Sequence, residues 1–83
     1  MKSCTCKLGP LNSISAWQYV PHSTEKVPDG VKTHTGTRGT EALVARDDGI
    51  VLVALPMDWV VSIDNGNLMV LPDYAFRALF RID

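Results

Sequence analysis

From Glu41 onward, apolar runs alternate with turn signals at a spacing that suits antiparallel strands and little else. "EALVA" leads into "RDDG", "IVLVALP" follows, and "WVVSI" is joined through "DNGN" to "NLMVL". Runs this short favour strands, because helices usually need about ten residues or more. Asp47, Asp48 and Gly49 suit a tight hairpin, with glycine where the backbone must turn left-handed. Asn65 and Gly66 fit a two-residue type I′ turn, whose twist matches that of its flanking strands. Pro56 cannot donate to a ladder and should end the strand before it. Ile50 to Leu55 contains no polar residue, which predicts a central strand covered on both sides.

Upstream the pattern is weaker. Residues 13–20, "SISAWQYV", are rich in β-branched and aromatic types and read as a strand. Ile14, Ala16, Gln18 and Val20 share one face, and Ser15, Trp17 and Tyr19 share the other. Both sets carry apolar area, so both faces are expected to be partly covered. Residues 1–12 are expected to be a flexible N-terminus. Residues 21–40 are expected to be a long loop, rich in Pro, Gly, Ser and Thr, with a turn at "VPDG".

The C-terminal "PDYAFRALF" predicts a short helix. Proline is tolerated at the first helical position, and Asp73 suits the positive end of the helix dipole. Asp73 and Arg77 are four apart and can pair on the outer side. Phe76, Leu79 and Phe80 form a stripe that would lie on a sheet. "RID" is either a frayed end or a last short strand. The sum is a mainly β (α+β) fold: a small bent antiparallel sheet, or partly open barrel, of about five strands with one short C-terminal helix.

At 83 residues the chain is a single domain, 1–83, with one limited core. Chains of this size bury only about 60% of their unfolded surface, so dimerisation is a natural way to gain stability. Eight Lys and Arg against nine Asp and Glu leave a net charge of −1. That balance argues against a dedicated nucleic-acid binder, which needs a basic face. The opening "MKSCTCKLGPLNS" has no signal-like apolar run, and no stretch reaches membrane-spanning length. The expected location is the cytoplasm.

"LPMDWVVSIDNGNLMVLPDYAFRALF" resembles a family of small, mostly uncharacterised bacteriophage and prophage proteins. The resemblance rests on Pro56, Asp58, Trp59, Gly66, Pro72, Asp73, Phe76 and Phe80, with "AWQY" (16–19) similar to the family's opening strand. Met57 stands where many members have glycine. These motifs span roughly half the chain and are specific only as a set. The resemblance implies a small β domain and a setting, accessory genes that often counter host machinery, but no shared activity. The leading expectation is therefore a non-enzymatic protein that binds and blocks a host or defence protein in the host cytoplasm, in the manner of an anti-CRISPR.

Trp, Tyr and Arg dominate interface hot spots, which selects Trp17, Tyr19, Arg38, Tyr74 and Arg77 as the candidate partner surface. The alternative expectation is a small-ligand protein, such as a sequestering agent for a nucleotide signal, acting as a homodimer. It would use Thr35, Gly36, Thr37, Arg38 and Gly39, where glycines free backbone N–H groups to face an anion and Arg38 offers a bidentate fork. No Walker-type lysine follows this loop, so triphosphate hydrolysis is not expected. Cys4, Cys6, His22 and His34 are the only thiols and imidazoles. A one-residue spacing between the cysteines crowds a tetrahedral zinc site, so no metal or other cofactor is expected. No nucleophile has a base at a recognisable spacing, and no enzyme is expected.

Overall fold

The computed structural model describes residues 1–9, 13–21, 26–36, 39–64 and 67–83, with the backbone alone at 34–36 and 39–40. The elements in chain order are β1 (Lys2–Cys6), β2 (Ile14–Gln18), β3 (Val31–Gly36), β4 (Gly39–Ala45), β5 (Val51–Ala54), β6 (Trp59–Ile63), β7 (Asn67–Leu71), α1 (Asp73–Leu79) and β8 (Phe80–Ile82). They form two antiparallel sheets. One has five strands in the order β7-β6-β2-β1-β8, and the other has three in the order β3-β4-β5.

The mostly β architecture with a short C-terminal helix is as expected from the sequence, and the sheets do not close into a barrel. The described residues form eight strands against the expected five or so: "RID" joins Phe80 in β8, the last short strand that was one alternative, and two further strands form where none was expected. Residues 1–12 were expected to be flexible, yet β1 lies inside the larger sheet between β2 and β8. Its polar appearance conceals an inward alternation at Cys4 and Cys6, with Thr5 exposed between them. Cys4 is buried beneath the helix and Cys6 packs beside it, the thiols acting as small apolar groups. Residues 21–40 were expected to be one long loop, yet β3 and the start of β4 fall within it. A strand at a sheet edge needs little apolar content, and threonines favour extended backbone. Of the described side chains of β3, Val31 reaches the core.

Layering follows from the alternation of β2 and β6. Ile14, Ala16, Trp59 and Val61 point to α1, where they meet Phe76 and Phe80. Trp17, Tyr19 and Val60 point the other way and meet Val31, Ala42, Val44 and Ala54 of the smaller sheet. The five-stranded sheet is thus the middle layer, covered on both faces as the make-up of residues 13–20 implied. Trp59 stacks on Phe76 with ring centroids 4.0 Å apart and planes 8° apart, and Phe80 follows at 5.5 Å from Phe76.

The turns show which backbone signals were read correctly. Arg46 N–H donates to Ile50 C=O at 2.9 Å, and Gly49, at φ +85°, closes the three-residue loop. Asp48 accepts the Ile50 N–H at 3.1 Å, fixing the loop from within. Gly30, at φ +82°, serves the turn in which Val31 N–H donates to Pro28 C=O. The hairpin between β6 and β7 departs from expectation. Ile63 pairs with Asn67, so three residues separate the partners where a type I′ turn would have two. Left-handed backbone already begins at Asp64, φ +54°. The conformation of Asn65 and Gly66 themselves lies outside the described residues.

One correction bears directly on the site. Ile50 to Leu55 was expected to be a central strand covered on both sides. β5 is instead the edge of the smaller sheet, paired with β4 alone. An unbroken apolar run fits a central strand only where other layers supply two covers. Here the five-stranded sheet supplies one.

Candidate interaction surface

The outer face of the smaller sheet is set by the register of its three strands. Lys32 lies opposite Leu43, which lies opposite Val53, and Ala45 lies opposite Val51. Alternation puts Ala42, Val44, Leu52 and Ala54 on the inner side, against the larger sheet. Leu43, Val51, Val53 and, next in the alternation, Leu55 therefore face outward, with 40, 56, 49 and 54% of their surfaces exposed. Four branched apolar side chains on one face present on the order of 400 Å² of apolar area, the size of the largest patch on a typical monomer, which is often a functional one. A depression of about 540 Å³ continues the patch, bounded by the Pro28–Gly30 turn on one side and by Leu43, Ala45 and Val51 on the other.

The edge of this face is anchored by a short turn. Pro56 and Met57 are the central residues of a turn in which Asp58 N–H donates to Leu55 C=O at 3.0 Å. The Asp58 carboxylate accepts the Leu55 N–H at 3.0 Å. Beyond β2, Tyr19 grips the turn twice, donating to Asp58 C=O at 2.8 Å and accepting from Met57 N–H at 2.7 Å. The Gln18 side chain donates to Met57 C=O at 3.1 Å. Met57 has φ +75°, a left-handed conformation that a type II turn demands at its third position and that glycine meets without strain.

The expected partner surface is not brought together. Trp17 and Tyr19 are buried between the two sheets, with ring centroids 5.7 Å apart, and so cannot serve as exposed anchors. Their size made them candidates for a surface. The same size makes them the largest side chains of the inter-sheet core. Tyr74 and Arg77 are exposed on α1, on the other side of the middle sheet, with Tyr74 80% exposed. Arg38 lies outside the described residues, as does Thr37. The side chain of Thr35 is likewise undescribed. Gly36 and Gly39 pair across the end of the β3–β4 hairpin.

Asp73 gathers three elements at the opposite end of the turn network. Its carboxylate accepts from the Trp59 indole at 2.9 Å, the Gln18 amide at 3.3 Å and the Arg77 guanidinium at 3.0 Å. The Trp59 and Arg77 hydrogen bonds hold its pKa below the ordinary carboxylate value. This is the Asp73–Arg77 pair expected from the spacing, enlarged by β6 and β2. Its role is to seat the helix.

Other chemistry is sparse among the described residues. No three His, Cys, Asp or Glu side chains come together there. His22 and the His34 side chain lie outside them. Burial, with the Asp83 charge as a smaller cause, raises the Cys4 thiol pKa. A notch of about 430 Å³ near Lys2, Trp17, Gln18 and Lys26 lies at the end of β1. The Trp17 indole N–H has no partner among the described residues, but it is sealed from solvent and so offers no donor to the notch. No helix among the described residues is long and apolar enough to cross a membrane.

Comparison with family models, with curated proteins and with solved structures finds no match for this chain. The functional reading therefore rests on the residues themselves. Leu43, Val51 and Val53 were not among the sequence candidates. Their signal was present in the run "IVLVALP", which has two apolar faces while the small chain has layers enough to cover one.

Proposed function

We propose that this chain is a non-enzymatic interaction module that works through protein–protein contact on the outer face of β4 and β5. One observation carries the reading: an edge strand with a core strand's composition, whose outward side chains are left about half exposed. Burying apolar area of this kind is the main favourable term in protein association. The charge balance supports a protein partner over nucleic acid, because no basic excess is available to neutralise phosphates.

The resemblance to phage accessory proteins supplies the setting for this module. There the partner would be a host or defence protein, held and sterically blocked in the cytoplasm in an anti-CRISPR-like way. No observation among the described residues favours the nucleotide-binding reading of residues 35–39.

The test is paired affinity capture from host lysate with the wild-type chain and with Val53→Asp, at salt high enough to screen surface charge. Val53 points away from the core, so the variant should keep its fold, checked by circular dichroism. The wild type should retain a stoichiometric protein that Val53→Asp loses. Equal retention by both chains, or none by either, would remove a host protein as the occupant of this face.

A further inference from the structure

Resting on the reading of the β4–β5 face as a protein-contact surface, we infer that in the free protein this face is occupied by a second copy of this chain, packed face to face about a two-fold axis, which a host partner would have to displace. Leu43, Val51, Val53 and Leu55 form its apolar centre. On the β3 side Lys32 stands directly across from Leu43, and Glu41 precedes Leu43 by two residues on the same face. Both are exposed, and neither is within salt-bridge distance of a charged group among the described residues. Among the described residues, then, Lys32 and Glu41 give the face a cation and an anion without an ion-pair partner beside an apolar centre, which lets it complement itself. A two-fold relation that brings Lys32 of each copy to Glu41 of the other forms the pair twice.

The size of the patch fits the same occupant. The apolar centre supplies on the order of 400 Å², and the rim charges and the Pro28–Gly30 turn extend it toward the roughly 800 Å² per partner of a standard interface. It falls at the small end of that range, which implies a concentration-dependent dimer rather than an obligate one. The layering adds a reason. The larger sheet has both faces covered within the chain, whereas the smaller sheet has one. A second copy supplies the missing layer with a surface of the same composition.

Charge reversal tests this specifically. Sedimentation equilibrium between about 10 µM and about 1 mM should show the wild type passing from monomer to dimer. Lys32→Glu and Glu41→Lys should each weaken self-association by about ten-fold or more, since each places two like-charged pairs at the rim. Mixing these two single variants should restore association as a heterodimer, and the double variant Lys32→Glu/Glu41→Lys should dimerise again by itself. Val53→Asp should be monomeric throughout with an unchanged far-ultraviolet spectrum. A wild-type chain that is monomeric at 1 mM overturns the second copy. If Val53→Asp still loses a captured lysate protein in that case, the interaction reading survives with a different occupant. Dimerisation unaffected by either charge reversal or by Val53→Asp would also overturn it, by placing the interface elsewhere.

Discussion

At the scale of single residues, the backbone at Met57 is the most exposed fault. Its φ of +75° is imposed by the Leu55–Asp58 turn and by the hydrogen bonds to Tyr19 and Gln18 on either side. An L-residue in that region carries about 1–2 kcal/mol of steric cost. Glycine would relieve it, less what glycine adds to the entropy of the unfolded chain. Met57→Gly should therefore raise stability by about 0.5–1 kcal/mol, read as an upward shift of the denaturant midpoint at unchanged slope. A destabilised variant would mean that the Met57 side chain contributes packing of its own. The two tryptophans offer a sharper contrast. The Trp59 indole donates to Asp73 at 2.9 Å, while the Trp17 indole is buried and unpartnered among the described residues. Replacing each with Phe removes similar volume. Trp59→Phe also breaks a hydrogen bond to a charged acceptor, whereas Trp17→Phe removes an unsatisfied donor. The first should cost more stability than the second, read as a lower denaturant midpoint. Sequence placed both tryptophans on strands correctly. It could not tell that one N–H had a partner and the other had none, because the partner lies fourteen positions away in Asp73.

Among elements, α1 was the most legible and β1 the least. The stripe at Phe76 and Phe80 and the Asp73–Arg77 spacing are local signals, which need no knowledge of what the helix packs against. The same carboxylate makes helix docking sensitive to acid. Asp73 has its pKa lowered in the folded chain, first by the Trp59 hydrogen bond and then by Arg77. A lowered folded-state pKa contributes stability that is fully present above the unfolded value, 3.8, and is lost as pH falls through the lower folded value. Asp73→Asn should thus lower the thermal midpoint at pH 7, and the gap to wild type should close as both are taken down toward about pH 2. A gap of constant size would show that the hydrogen bonds, rather than the charge, do the seating. β1 was hidden because "KSCTC" has a single β former, Thr5, and its pairing is supplied by partners from both ends of the chain. The Ser3 and Thr5 hydroxyls donate to the Asp83 carboxylate, and Asp83 N–H donates to Ser3 C=O at 3.0 Å, which closes the β1–β8 edge. Burial there has a chemical consequence. With Cys4 enclosed and its thiol pKa raised, iodoacetamide at pH 8 should modify the half-exposed Cys6 first and Cys4 only after unfolding. Equal rates at the two thiols in the native chain would mean that β1 opens readily.

For the molecule as a whole, the question is which strands hold the three layers together. Hydrophobicity alone would choose β5, whose run from Ile50 to Leu55 has no polar residue. Its position rules this out, because an edge strand bonds on one side and a singly covered face leaves Val51 and Val53 in contact with water. β6 and β2 have neighbours on both sides and apolar cover on both faces. This is why the hairpin order could be read from turn residues while the depth of each strand could not. Depth depends on how two sheets stack, and that is a property of pairings up to eighty residues apart in sequence, such as Ser3 with Asp83. Native-state hydrogen exchange separates the two pictures. Amides of Trp17, Val60 and Val61 should exchange only through global unfolding, while those on the free side of β5 should exchange through local opening, at lower free energy. Repeating the measurement across the concentration range in which the β4–β5 face is covered should slow exchange at Val51 and Val53 and leave Val60 and Val61 unchanged. If β5 were as protected as β6 at the lowest concentration, the free side of β5 would have to be paired within the chain itself. The surface argued for here would then not exist in the monomer.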